Sequence, residues 1–207
     1  MARWGAQKRR ETSVLVGRRV TLRVLTSHDF HAWREVRRRS AAWLEPWEPM
    51  RPPGTPDPVE DRGAFAARCA ARMREIETGT GYGFGLFCQD GFVGEVNLSN
   101  IRRGPSQAAL LGYWVDHGFA GRGLVPEGVV LALRFSFEEL GLHRVEAGVI
   151  PRNDASMRVM TKLGLTPEGI SRDMLEINGT WEDHQRFAMV AGDWVARREE
   201  LLSAWVW

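Results

Sequence analysis

The chain reads as an α/β fold of the α+β kind: a mixed, mostly antiparallel, twisted sheet with helices on both faces. Three observations predict it. Asp90-Gly91 and Asn178-Gly179 each stand between two strand-like runs, which is the signature of a tight hairpin. "AALLGYWVD" and "HRVEAGVI" are strand-like runs separated by a helical segment, so they should lie parallel through a right-handed crossover. Two further helical segments precede the hairpins. The 207 residues suffice for one domain with a full core, and 43% hydrophobic with 26% charged residues is ordinary for a globular chain.

"VLVGRRVTLRVL" has β-branched residues in near-alternation and a bend at Gly17, and predicts a first strand or hairpin arm. Ser27 is read as a helix cap with Asp29 in the first turn. Phe30, Trp33 and Val36 form that helix's apolar stripe. "LEPWEPMRPPGTPDP" holds six of the ten prolines and predicts a loop. Asp57-Pro58 is read as N-cap and N1 of a second helix, whose face is Phe65, Cys69, Met73 and Ile76. Strands "YGFGLFCQ", "FVGEVNLSNI" and "AALLGYWVD" follow. A helix from about Val125 to Leu140 carries Pro126 in its first turn, where a missing N–H costs little. After "HRVEAGVI", Asn153 caps a helix that stops near Gly164. A hairpin and a short helix, roughly Trp194 to Leu202, complete the order β-α-α-β-β-β-α-β-α-β-β plus helix.

Charge sets further bounds. Lys and Arg total 28 against 26 for Asp and Glu, and a net charge of +2 does not point to DNA. The runs Lys8 to Arg10 and Arg37 to Arg39 are basic. They read as a solvated tail and a solvated helix face, and residues 1–13 are expected to be a flexible tail before a domain spanning 14–207. Cys69 and Cys88 lack metal-like spacing and fit reduced cytosolic thiols. No bound metal is expected. No apolar run reaches membrane-spanning length, and the N-terminus has no apolar core of a secretory signal. The expected location is cytoplasmic.

The most informative stretch is "DHGFAGRGLVPEG", Asp116 to Gly128. A glycine-rich turn opening a helix usually holds phosphate through backbone N–H groups. It is not a Walker loop, because Leu124 and Val125 follow Gly123 where a lysine and a hydroxyl are needed. It is not a dinucleotide fingerprint, because the next glycine is Gly128 and the spacing fails. A pyrophosphate on a carrier thioester remains.

"LGYWVDHGFAGRGL" resembles the acyl-CoA-binding motif of the GNAT N-acetyltransferases, and "VIPRNDASMRVMTKLGL" resembles the motif that follows it. "LEPWEP", "VGEVNLSNIRRG" and "NGTWEDH" are similar to the RimJ/RimL branch, the ribosomal-protein N-terminal acetyltransferases, and more to RimJ. The resemblance runs from about Val14 to Trp194. It implies the GNAT fold and acetyl-CoA as cofactor. No covalent enzyme intermediate is expected, because neither cysteine lies in a recognised motif. One departure is Gly118, where the family often has Gln or Arg.

The resemblance implies that "GYWVD" splays from "HRVEAGVI". The pantetheine arm would lie in that gap against Trp114, Val115 and Asp116, with the Val115 N–H on the thioester carbonyl. Gly118, Phe119, Ala120, Gly121, Arg122, Gly123, Leu124 and Val125 would wrap the pyrophosphate. Asn153 would fix the pantetheine, and Ser156 would serve as proton donor at the sulfur. The branch's glutamate falls here on Leu175, and the adjacent Glu176 faces the other way on a strand. Glu48, beside Trp47, is therefore the candidate for gripping the acceptor amine or passing its proton through water. Asn97, Tyr113 and His184 are candidates for lining the acceptor pocket, with Glu95 and Asp183 behind them. The implied acceptor is the α-amine of a protein, most plausibly a ribosomal protein beginning with alanine. Two other readings stay open: a small-molecule amine as acceptor, and a ribosome-associated binding or assembly factor. Oligomeric state is open between monomer and homodimer.

Overall fold

The computed structural model of the chain describes residues 14–207. Its centre is an eight-stranded sheet. In chain order the strands are β1 (Leu15–Val16), β2 (Thr21–Arg23), β3 (Tyr82–Cys88), β4 (Gly91–Arg102), β5 (Ala108–Val115), β6 (Arg144–Val149), β7 (Thr166–Ile177) and β8 (Thr180–Val190). They lie in the order β1-β2-β3-β4-β5-β6-β8-β7. Every neighbouring pair is antiparallel except β5 and β6. The helices are α1 (Phe30–Arg39), α2 (Ala41–Leu44), α3 (Arg62–Thr78), α4 (Leu124–Arg134), α5 (Asp154–Leu163) and α6 (Ala191–Trp205). None is long and apolar enough to cross a membrane.

The two predicted hairpins form, with Gly91 at φ 100° and Asn178 and Gly179 at φ 46° and 79°. Phe30, Trp33 and Val36 are buried with Phe65, Cys69 and Phe92, so α1 and α3 share one face of the sheet. The larger core lies on the other face beneath α4, which is buried from Leu124 to Leu133, with α5 and α6 against it.

Several boundaries differ from expectation. The first strand splits at Gly17 into β1 and β2. Ser27 is not the cap of the first helix: a 3-10 turn, Ser27–Asp29, precedes α1, and Asp29 accepts from the N–H of Thr26 at 2.8 Å. Asp57-Pro58 does not open the second helix. Asp57 closes a turn on itself, accepting from Val59, Glu60 and Asp61 N–H groups, and Asp61 caps α3 instead. Part of the proline loop is helical, since α2 is followed by the 3-10 turn Glu45–Trp47. The fourth helix begins at Leu124 and passes at Phe135 into a π-turn ending at Glu139. The last helix is longer at both ends than expected. The basic cluster Lys8 to Arg10 lies outside the described residues.

Candidate active site

β5 and β6 pair only from Ala108/Arg144 to Leu110/Glu146, although β5 runs on to Val115 and β6 to Val149. The two strands therefore open into a gap. Val93 is an extra residue in β4 opposite the Leu86/Phe87 step of β3, a bulge that bends the strand there. The Asp116 N–H donates to the Val93 carbonyl at 2.8 Å. Backbone direction alternates along a strand, so the N–H and carbonyl of Val115 point away from β4 and into the gap. The family resemblance implies a carbonyl-polarising role for this N–H.

The loop after β5 divides in two. Up to Ala120 its N–H groups are engaged, that of His117 by Ser40 Oγ at 3.1 Å and the next three within the loop. Gly118 donates to Asp116 Oδ1 at 3.2 Å, Phe119 to the Asp116 carbonyl, and Ala120 to the His117 carbonyl. The N–H groups of residues 121–125 bond to no other described residue. Gly121 and Gly123 have φ 76° and 78°, a left-handed conformation that glycine adopts freely. Gly123 is the N-cap of α4 and has no side chain to satisfy the helix's first donors. Five N–H groups without a partner among the described residues, gathered at a helix N-terminus, form an anion cradle. The N–H groups open to an anion are therefore those of Gly121 to Val125, while those of Gly118, Phe119 and Ala120 are engaged in shaping the turn. The Arg122 guanidinium lies 4.7 Å from the Phe119 ring centroid.

Asp116 anchors the start of this loop. It is buried, and it accepts from Arg39 Nε at 2.7 Å and Ser40 Oγ at 2.8 Å, both at the end of α1. Burial alone would raise its pKa. The hydrogen bonds from Arg39, Ser40 and Gly118 outweigh that and hold it below the ordinary carboxylate value. The basic run of α1 is paired although Arg38 and Arg39 stay exposed: Arg37 pairs with Glu48, Arg38 with Glu60 and Arg39 with Asp116.

Across the gap, Asn153 caps α5, its Oδ1 accepting from the Ser156 N–H at 3.1 Å. Ser156 Oγ and Tyr113 Oη are 2.6 Å apart. Burial pushes the Tyr113 hydroxyl up to about 12, although its bond to Ser156 acts the other way. The two hydroxyls so form one neutral, half-buried pair on the α4 and α5 side.

Trp47 and Glu48 sit on the other side of the gap. Both oxygens of Glu48 are held by Arg37 at 2.6 Å, and the Arg37 guanidinium lies 5.0 Å from the Trp114 ring centroid. The Glu48 carbonyl accepts from Asn178, which docks the proline loop on the turn between β7 and β8. Arg152, next to Asn153, lies 4.7 Å from the Trp47 ring centroid and bonds Glu182 and the Pro46 carbonyl. His184 is buried, its Nδ1 2.9 Å from the Glu182 carbonyl, on an interior strand rather than an edge. Trp47, Arg152, Glu182 and His184 therefore form one connected wall. Asn97 stands apart. It pairs with Gly112, one residue from the Tyr113 register, so it faces the α1 and α3 side; its Oδ1 is buried without a partner, near Gly83 and Arg72. Glu95 is buried between Trp33 and Arg68, and Asp183 accepts from the Asp173 N–H. Ser40, Arg152 and Glu182 were not singled out by residue pattern, and Arg37 and Arg39 only as members of a basic run, because each meets its partner only through the fold.

The sequence of the acetyltransferase (GNAT) domain family matches residues 19–166. The chain belongs to the GNAT acetyltransferase family. The [ribosomal protein uS5]-alanine N-acetyltransferase of Escherichia coli is 32% identical over 179 residues, covering 83% of this chain and 88% of that protein. The Bacillus subtilis protein named Probable N-acetyltransferase YjcK is 44% identical over 128 residues, 61% of this chain and 71% of that one. Mycobacterium smegmatis RimJ, solved with a CoA disulfide, superposes with a TM-score of 0.82 at 31% identity, covering 93% of this chain and 91% of that one. GNAT acetyltransferases use acetyl-CoA. The free N–H groups of 121–125 suit its pyrophosphate, and the gap between β5 and β6 offers unpaired strand edge to its amide-bearing arm.

Proposed function

We propose that this GNAT enzyme acetylates the N-terminal α-amine of a protein, most plausibly a ribosomal protein beginning with alanine, encountered in the cytoplasm. The observation that carries the acceptor is the likeness to the uS5-alanine enzyme across 83% of the chain. The open wall formed by Trp47, Glu48 and the β7–β8 hairpin supports it, because a chain end can enter there while the cofactor lies on the α4 side.

Acetyl-CoA supplies an activated acetyl group that a neutral amine can attack directly. Val115 donates its N–H to the thioester oxygen, where negative charge develops. Residues 121–125 hold the pyrophosphate, with Trp114 and Asp116 bounding the strand edge and Asn153 at the arm. Glu48, fixed by Arg37, holds the incoming amine beside Trp47. Tyr113 and His184 flank the pocket.

With acetyl-CoA in the gap, Ser156 would stand on the side of the departing sulfur. Proton transfer from a hydroxyl at about 12, such as Tyr113, to a thiolate of ordinary pKa ~8.5 would cost ~5 kcal/mol. The pair therefore works by hydrogen bonding: Tyr113 donates to Ser156, and Ser156 donates to the thiolate. The proton that finally settles on sulfur comes from the acetylated amine, carried through water.

The test is thiol release from acetyl-CoA with peptides differing only in their first residue, with spermidine and an aminoglycoside as comparators. Turnover on an alanine peptide, absent when its α-amine is blocked, is the expected result. Turnover on the small amines alone would replace this reading with a small-molecule acceptor. Cofactor binding without turnover on any acceptor would favour a binding protein.

A further inference from the structure

The anion cradle has a support behind it that contacts no acceptor and no thioester. Glu127 lies in the first turn of α4 and its side chain is 0% exposed. A carboxylate there would repel a pyrophosphate bound at the same helix end if it had no counter-charge. It receives three donors: Arg19 N–H at 2.6 Å, Arg19 Nε at 2.8 Å and Val20 N–H at 3.1 Å. The same guanidinium reaches past Glu127 to the loop. Its Nη1 donates to the Arg122 carbonyl at 3.0 Å and its Nη2 to the Gly123 carbonyl at 3.1 Å.

The geometry of the peptide gives this fork a consequence. In a trans peptide the C=O and the following N–H point in opposite directions. With the carbonyls of Arg122 and Gly123 drawn towards Arg19, the N–H groups of Gly123 and Leu124 face away from it, on the cradle side. The fork thereby fixes the 122–123 peptide plane between two glycines, and on the Gly123 carbonyl it reinforces the long helical bond from the Glu127 N–H at 3.4 Å. Lysine cannot reproduce this, because three separate acceptors are met by one planar fork. The turn carrying Arg19 is built to sit close: a Cβ on Gly17 would lie 2.6 Å from Glu127 Oε1.

We propose that Arg19 is a positioning residue for cofactor binding: it holds the peptide planes of 122 and 123 so that the N–H groups of Gly123 and Leu124 meet the pyrophosphate, and it neutralises Glu127 beneath them. The inference rests on the acetyl-CoA reading of the loop and is independent of the acceptor.

The test compares wild type with Arg19→Lys and with the charge-balanced pair Arg19→Gln/Glu127→Gln, which guards against misfolding from an unpaired Glu127. Coenzyme A affinity is measured by calorimetry. Turnover is measured with acetyl-CoA and with S-acetylpantetheine, which lacks the pyrophosphate. Losing the fork should weaken coenzyme A by about tenfold, the scale of one or two hydrogen bonds. KM for acetyl-CoA should rise in step, with kcat, acceptor KM and turnover of S-acetylpantetheine within about twofold of wild type. An equal fall with both donors would show general damage and overturn the proposal, as would unchanged affinity for coenzyme A. Calorimetry needs no acceptor, so a wild-type chain that binds coenzyme A but acetylates no N-terminus would refute the acceptor reading and leave this one standing.

Discussion

Removing the Ser156 hydroxyl tests the leaving-group chemistry most directly. Ser156 Oγ is 2.6 Å from Tyr113 Oη, and Asn153 fixes its backbone. A hydrogen bond to a charged group is worth about 1.5–3 kcal/mol. Ser156→Ala should therefore lower kcat by ~10- to 100-fold, with KM for acetyl-CoA within about twofold, since the free N–H groups of 121–125 are untouched. Tyr113→Phe removes only the donor behind Ser156, a neutral bond worth ~1 kcal/mol, and should cost ~5-fold. The double variant should be no slower than Ser156→Ala, because Tyr113 acts only through Ser156. The assay is steady-state thiol release at saturating acetyl-CoA, with single-turnover kinetics to isolate the chemical step. Stability supplies a control. Ser156→Ala leaves Tyr113 Oη with only the Ser156 carbonyl at 3.4 Å, so ~1 kcal/mol and ~3 °C of Tm should be lost. Unchanged kcat in Ser156→Ala, or a double variant whose loss is the product of the two singles, would refute the relay.

Gly94→Ala should be severely destabilising, by ~3 kcal/mol or more, because its Cβ would lie 2.2 Å from the Trp114 carbonyl oxygen across the β4–β5 pair; chemical denaturation checks it. Asp116 is held below the ordinary carboxylate pKa, so its contribution is present above pH ~4 and lost as pH falls further. Denaturation midpoints below pH ~4 should therefore fall more steeply for wild type than for Asp116→Asn. Tyr113 is raised to about 12, so its contribution is intact below pH ~10 and lost between there and 12. Tyr113→Phe should lack that alkaline slope.

What could be read from the residues was local. Period-two and helical patterns placed most strands and helices, Asp90-Gly91 and Asn178-Gly179 placed the hairpins, and Asn153 and Gly164 bracketed α5. The glycine loop was legible because its chemistry is a property of its own backbone. The supports of the site were not. Arg39 meets Asp116 across 77 positions, and Arg19 meets the Arg122 carbonyl across 103. No spacing rule spans such distances. The run Arg37 to Arg39 looked like one charged face, yet successive helical residues diverge by about 100°, and each arginine goes to a different acid. The α3 boundary failed for a nearer reason. Asp57-Pro58 is a valid helix start, but a closed turn on Asp57 competes with it, and Asp61 is an equally good cap four residues on.

The same arginines bear on how the acceptor loses its proton. The acids around the gap are Glu48, Glu95, Asp116 and Glu182, and each is engaged by an arginine: Arg37, Arg68, Arg39 and Arg152. Taking the amine's proton would break one of these ion pairs. The amine should therefore arrive neutral by its own equilibrium. A peptide α-amine titrates at about 8, so a useful fraction is neutral without help. The pH profile of kcat/KM for the acceptor should then rise with the pKa of the peptide's own amine, and should move when that amine is made less basic. A series of alanine peptides with altered second residues, titrated independently by NMR, supplies the comparison. An inflection that stays fixed while the amine pKa changes would belong to the enzyme instead. It would restore a general base to the site, and Glu48→Gln, which keeps the loop's shape while removing the charge, would then abolish the inflection.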